Sequence, residues 1–173
     1  ATAREVEQQV TDRIERKHLD AQTAKMYAAL EKQLPGMQIS LQAHTKDERL
    51  WIVAASSDRT PGTRYLYDAK ADALTKLGDI NPWIAAADMA PMKPIQYTAR
   101  DGTVIHGYLT LPVGRPAKNL PVIVNPHGGP WARDAWGYNP EVQFLANRGY
   151  AVFQPNFRGS TGYGKKFLNA GNK

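Results

Sequence analysis

Two short apolar runs, Val122-Ile123-Val124-Asn125 and Ala151-Val152-Phe153-Gln154, bracket one well-marked helix, and that spacing admits few folds. The helix signal opens at Asn139-Pro140-Glu141, which combines a capping side chain, a first-turn proline and an acid near the positive end of the helix dipole. Val142, Leu145 and Ala146 form its apolar stripe, and Arg148-Gly149 closes it. Strand, helix and strand at this distance make a crossover unit, so the strands are expected to be parallel and the connection right-handed. Because Val122 to Asn125 is short and apolar on both faces, helices are expected to cover it.

Toward the N-terminus the period changes. Pro94 to Ala99 and Val104 to Leu111 alternate as strands across Arg100-Asp101-Gly102-Thr103, where Asp-Gly is a strong hairpin signal. His106 falls in the second of them, on a half-exposed sheet face. Asn81-Pro82-Trp83-Ile84 to Met92 reads as a connector. Before it, Met37 to His44, Arg49 to Ser56, Thr63 to Tyr67 and Ala73 to Leu77 read as four short strands separated by turn-forming stretches. Such a meander is the unit of a propeller blade, which is stable when stacked between neighbours, and the sequence holds no second copy of it. A helix is expected from a cap at Asp20, with Tyr27, Leu30 and Leu34 at helical spacing and Pro35-Gly36 as its stop. Arg4 to Lys17, charged on nearly all sides, reads as a solvated helix or linker.

Composition narrows the possible functions. At 42% hydrophobic and 22% charged, the 173 residues suit a globular chain. No stretch approaches the roughly 18 to 20 apolar residues of a membrane span. The charged start, Ala1 to Glu7, lacks the apolar segment of a secretion signal, so no membrane partner is expected and the compartment stays open between cytoplasm and periplasm. With no cysteine there is no disulfide or thiolate metal site. His18, His44, His106 and His127 show no ligand spacing, so neither a metal nor any other cofactor is expected. The net charge of +6 is uneven: 12 Lys and Arg stand against 13 Asp and Glu up to Ala90, and 10 against 3 from Pro91 onward. These basic residues are dispersed, with no recognition helix or aromatic ladder, so nucleic acid is not an expected partner.

The chemistry is concentrated in His127-Gly128-Gly129-Pro130, directly after the strand Val122 to Asn125. A strand that ends in paired glycines puts bare backbone N–H groups at the rim of a sheet, with no side chain to obstruct a substrate oxygen. Donors fixed where charge develops on an attacked carbonyl are worth roughly 2.7–4 kcal/mol each in a dry site. They attack nothing themselves. Ser160 is flanked by glycines, but Arg158-Gly159-Ser160-Thr161-Gly162 has glycine one residue before the serine and two after, which is not the spacing of a nucleophile elbow. It also lacks an expected base, since His127 would have to leave its loop and His106 belongs to the wrong edge of the sheet. No nucleophile is therefore expected in this chain, which alone should be inactive.

Three stretches, read together, resemble the prolyl oligopeptidase family of serine peptidases. They are Asp101-Gly102 with the strand into Leu111-Pro112, the strand into His127-Gly128-Gly129-Pro130, and Asn156-Phe157-Arg158-Gly159-Ser160-Thr161-Gly162-Tyr163-Gly164. The likeness covers about Pro91 to Lys173 and is nearest to the acylaminoacyl-peptidase and dipeptidyl-peptidase-like branches. It implies a two-domain enzyme in which a propeller restricts access to an α/β-hydrolase domain, whose serine, aspartate and histidine cleave peptide bonds of short peptides. On that reading, residues 1–36 are a helical linker segment, 37–90 the last four-stranded antiparallel blade with its connector, and 91–173 the N-terminal part of the catalytic domain.

The resemblance also implies roles for particular residues. Gly129 would offer its N–H to the oxyanion. His127 stands where the proline-specific and dipeptidyl branches have a tyrosine, so it would assist that donor or brace the loop. Gly128, Pro130, Arg158 and Gly159 would form the structure beside the site. The catalytic serine, aspartate and histidine would lie beyond Lys173, making the remaining polypeptide the chain's partner. Two alternatives remain open: an esterase or lipase of the same fold, and a non-catalytic interaction module whose glycines only make tight turns.

Overall fold

The computed structural model describes residues 5–10 and 12–172. The chain divides into two units, Ala1–Gln8 with Glu15–Ala87 and Gln9–Ile14 with Asp88–Lys173.

The segment expected to be helix or linker contains two strands instead. β1 (Glu5–Val10) and β2 (Ile14–His18) pair in a two-stranded sheet. Val6, Val10 and Ile14 are β-branched, which favours extended backbone over helix. Residues 1–4 and 11 of that expectation lie outside the described residues.

The first unit is built on α1 (Ala21–Gln33) and a meander. Asp20 caps α1 by accepting from the Thr23 N–H at 2.7 Å, and Gly36 follows the helix at φ 75°, a left-handed turn that glycine adopts without strain. The meander is β3 (Gln38–His44), β4 (Leu50–Ser56), β5 (Thr63–Asp68) and β6 (Ala73–Asp79), antiparallel throughout and paired in chain order. Along β4 alternate residues are buried, and Trp51, Val53 and Ala55 join Ile39 and Tyr67 against Met26, Tyr27, Leu30 and Leu34 of the helical segment. One face of the meander is thus covered by a helix from its own chain. At the β5–β6 turn, Asp72 Oδ1 accepts from Tyr67 Oη at 2.9 Å and from Gln33 Nε2 at 3.0 Å, which ties the end of α1 to the sheet.

The second unit carries the glycine motif. Its sheet contains β7 (Met92–Thr98), β8 (Val104–Thr110), β9 (Val122–Val124) and β10 (Ala151–Asn156), in the order β7-β8-β10-β9. β7 and β8 form the expected hairpin, closed by Ala99 N–H to Thr103 O at 2.8 Å. β10 runs antiparallel to β8 and parallel to β9, with Val152 opposite Ile123, as the strand-helix-strand spacing requires. The connecting helix is α2 (Pro140–Asn147), capped by Asn139. Its Gln143 carboxamide holds both the N–H and the carbonyl of Ala90 at 2.8 Å, while Trp136 Nε1 donates to Met92 O at 3.0 Å over Tyr108.

One expectation for this sheet is overturned. β9 is not covered on both faces, for Val122 and Val124 are 60% and 59% exposed. The strand stands at the sheet edge with β10 as its one partner among the described residues, so its apolar composition is not matched by burial here.

Tyr67 makes the first unit pH-sensitive on the alkaline side. Burial pushes its phenol up to about 12, helped by the bond to Asp72 and by the negative charges of Asp72 and Asp68. An unfolded tyrosine titrates near about 10. The contribution is therefore complete below about pH 10 and is lost as pH rises through about 12. Phenolate absorbance should show one tyrosine near 12 that disappears in Tyr67→Phe. Titration of that residue near 10 would contradict this account.

Candidate oxyanion site

Both glycine-bearing loops leave the sheet at the carboxyl ends of adjacent parallel strands, the usual place for a site in an open α/β sheet. After β9 the ladder continues for one residue, Asn125 N–H donating to Phe153 O at 2.8 Å, and Pro126 then turns the chain into His127-Gly128-Gly129-Pro130. After β10 the chain enters Phe157 to Gly164 and then α3 (Lys165–Asn169).

Polar contacts lock the two loops together. His127 Nδ1 lies 2.8 Å from the Gly128 carbonyl, which can only accept, so this nitrogen carries the proton. In the neutral ring Nε2 is then the acceptor for Ser160 Oγ, 2.7 Å away. The imidazole also stacks on Phe157, with centroids 4.4 Å apart and planes 15° apart. Thr161 N–H donates to Ala132 O at 3.0 Å. Asn156, fully buried at the end of β10, accepts from Asp134 N–H at 2.8 Å and donates to Asp134 O at 3.1 Å and to Tyr163 Oη at 2.8 Å. Arg133 donates to the same Tyr163 oxygen at 2.8 Å, its guanidinium 4.5 Å from the ring centroid.

The glycines of this junction differ in what they require. At Gly129 φ is 152°, and a Cβ would lie 2.9 Å from Trp131 N, so the turn excludes a side chain. Its N–H makes no hydrogen bond to another described residue. Gly128 has open space around it. Gly159 has φ 98°, and a Cβ there would press on Pro130 Cβ at 2.9 Å, so these two residues set how closely the loops approach.

Other side chains fall into place around this lock. Arg158 turns away from it to the β7–β8 hairpin, with Nη2 2.5 Å from each Asp101 carboxylate oxygen. The Thr103 amide and then this guanidinium hold the Asp101 carboxyl below its usual range. The pair is largely exposed and screened, so it orients more than it stabilises. Burial pushes the Asp134 carboxyl up, against the opposing pull of His127, Gln154 and Arg133. His106 is half-buried on the interior strand β8, opposite Asn156 of β10 and stacked on Tyr163 at 4.7 Å, so it does not lie at a sheet edge as expected. Among the described residues no His, Cys, Asp and Glu cluster could hold a metal ion.

The structure corrects the expectation that His127 would have to leave its loop to reach Ser160. It reaches the serine from within the loop, because the β10 loop folds back over the β9 loop and brings together residues 33 positions apart. Sequence reasoning gave no separate role to Asn156, Asp134, Arg133 or Tyr163. The one available signal was Gln154 and Asn156, polar residues at alternate positions of a buried strand.

The model of the prolyl oligopeptidase family matches residues 136–173. Dipeptidyl aminopeptidase BIII of Pseudoxanthomonas mexicana is 45% identical over 145 residues, covering 80% of this chain and 21% of that protein. The acylaminoacyl peptidase of Pyrococcus horikoshii superposes with a TM-score of 0.54 at 27% identity, over 69% of this chain and 19% of its own. A prolyl endopeptidase structure gives a TM-score of 0.61 at 19% identity over 80% of this chain and 20% of its own, a likeness of fold alone. The chain spans about a fifth of the length of these relatives. Among the described residues, no helix is long and apolar enough to cross a membrane.

Gly159→Ala tests the lock directly. The strained φ and the contact with Pro130 should cost about 1–3 kcal/mol, read as a lower unfolding midpoint in urea. A variant as stable as the parent would show that the loops do not need this close approach.

Proposed function

We propose, on the premise that this chain belongs to the prolyl oligopeptidase family of serine peptidases, that it supplies the oxyanion-binding loop of an acyl-transfer site that hydrolyses short peptides. The observation that carries this reading is the Gly129 N–H, held in a rigid turn at the carboxyl end of a parallel strand and making no hydrogen bond to another described residue. When a serine oxygen attacks a peptide carbonyl, the carbonyl oxygen becomes an alkoxide. A preorganised amide then gains more from the tetrahedral intermediate than from the ground state, and this difference lowers the barrier. Collapse of the intermediate expels the amine and leaves an acyl-enzyme, which water hydrolyses through the same oxyanion contact.

Within this scheme His127 braces the loop. Both ring nitrogens are engaged by protein groups, so the imidazole has no spare N–H for the substrate oxygen. Gly128 leaves the approach open, Pro130 and Gly159 hold the loops in contact, and Arg158 anchors the second loop to the hairpin. Ser160 has its hydroxyl aimed at a base, but it is fully enclosed, and a substrate carbonyl has no path to it. This reading assigns the nucleophile and its histidine and aspartate to polypeptide outside these residues, supported by relatives about five times as long as this chain.

The same reading assigns residues 91–173 to the N-terminal part of an α/β-hydrolase domain, supported by the order β7-β8-β10-β9 with its antiparallel second strand. Residues 37–90 are assigned to a final propeller blade and connector on the strength of the four-stranded meander, with α1 on one of the faces that blades would otherwise cover. Residues 1–36 then form the segment leading into it.

Labelling with a fluorophosphonate, which reacts at activated serines, tests the proposal. This chain alone should remain unlabelled. A longer polypeptide that contains it should label at a serine other than Ser160, and Ser160→Ala should label as well. Modification of Ser160 itself would overturn the assignment.

A further inference from the structure

We propose that Asn156 is a positioning residue for the oxyanion donor, acting through the backbone of Asp134 rather than by touching substrate. The inference rests on the reading of Gly129 as that donor. The loop carrying Gly129 has two fixed ends. One is Asn125, whose N–H is held by Phe153 O of β10 at 2.8 Å. The other is Asp134, whose N–H and carbonyl are both held by the Asn156 carboxamide, at 2.8 and 3.1 Å. Both anchors are supplied by β10, so a single strand sets both ends of the turn.

Asparagine suits this task for a chemical reason. Its carboxamide presents one acceptor and one two-proton donor in a plane, which matches a residue's own N–H and C=O and leaves a second proton for Tyr163 Oη at 2.8 Å. Aspartate has the same shape but would set an oxygen against the Asp134 carbonyl. Alanine would leave both Asp134 backbone groups without partners. Tyr163 is gripped in turn by Arg133 of the same loop, so the clamp is closed on its far side. The side chain of Asn156 is fully buried, which removes competing water and lets these bonds fix the position of the loop.

The test uses an active form of the protein, with active sites counted by fluorophosphonate stoichiometry and a peptide anilide as substrate. In Asn156→Asp and Asn156→Ala, kcat per titrated site should fall about 10- to 100-fold, the scale of a misplacement of about 1 Å, with KM within about threefold of the parent. A residue needed only for folding would reduce the number of titratable sites and leave kcat per site unchanged, and that result would overturn the proposal. If neither variant accumulates, Asn156→Ser decides, since its shorter side chain keeps a polar group in place but cannot hold both backbone groups of Asp134. It should lower kcat at constant KM, and an unchanged kcat would again overturn the role of Asn156. A parent protein that neither labels nor cleaves the anilide would defeat the underlying functional reading instead, so the two failures are distinguishable.

Discussion

A hydrogen-bonded junction between two loops is the constraint on which the second unit depends. Glycine-rich turns have no side chains to pack, and left alone they sample many backbone conformations. Here the turn at Gly129 is held because its neighbours are: His127 by Ser160 and Phe157, Ala132 by Thr161, and Asp134 by Asn156. Fixing an amide before any ligand arrives is what gives such a donor its value, since little reorganisation is left to be done at the moment of reaction. The parallel pairing of β9 and β10 makes the junction possible, because it brings both loops out at the same edge.

The two units solve the same problem by different means. In the first, a capped helix covers one face of an antiparallel meander, and the apolar contact is closed at its end by Asp72 bridging Gln33 and Tyr67. In the second, the hairpin, the crossover helix and the loops are linked by carboxamides: Gln143 on Ala90 and Asn156 on Asp134 each hold both backbone groups of one residue. A carboxamide used in this way satisfies buried backbone groups that no strand or helix can reach, and it specifies a geometry that apolar packing alone would leave loose.

Local chemistry made much of this legible from the sequence. The caps at Asp20 and Asn139, the Asp-Gly hairpin and the crossover spacing act within a few residues or through simple periodicity, and each element forms where those signals fall. The N-terminal strands were missed because pattern reading weighs charge distribution, and strands of six and five residues are too short to show a period in so charged a segment. The exposed valines of β9 were misread for a related reason: composition reports what a strand is suited to meet, not what covers it in a given chain. The contacts of His127 with Ser160 and of Asn156 with Asp134 join residues far apart along the chain, and no periodicity announces them. Their residues stood inside the recognised motifs, but the pairing exists only once the loops meet.

The most direct test of the locked turn is hydrogen exchange of the second unit, followed amide by amide. The amides of Ala132, Asp134, Ser160 and Thr161, each hydrogen-bonded in this junction, should be protected and should open together, while the Gly129 amide exchanges near its unprotected rate. Protection of Gly129 comparable to these four, or exchange of all five as in an open loop, would contradict the claim that the junction exists to hold that amide free.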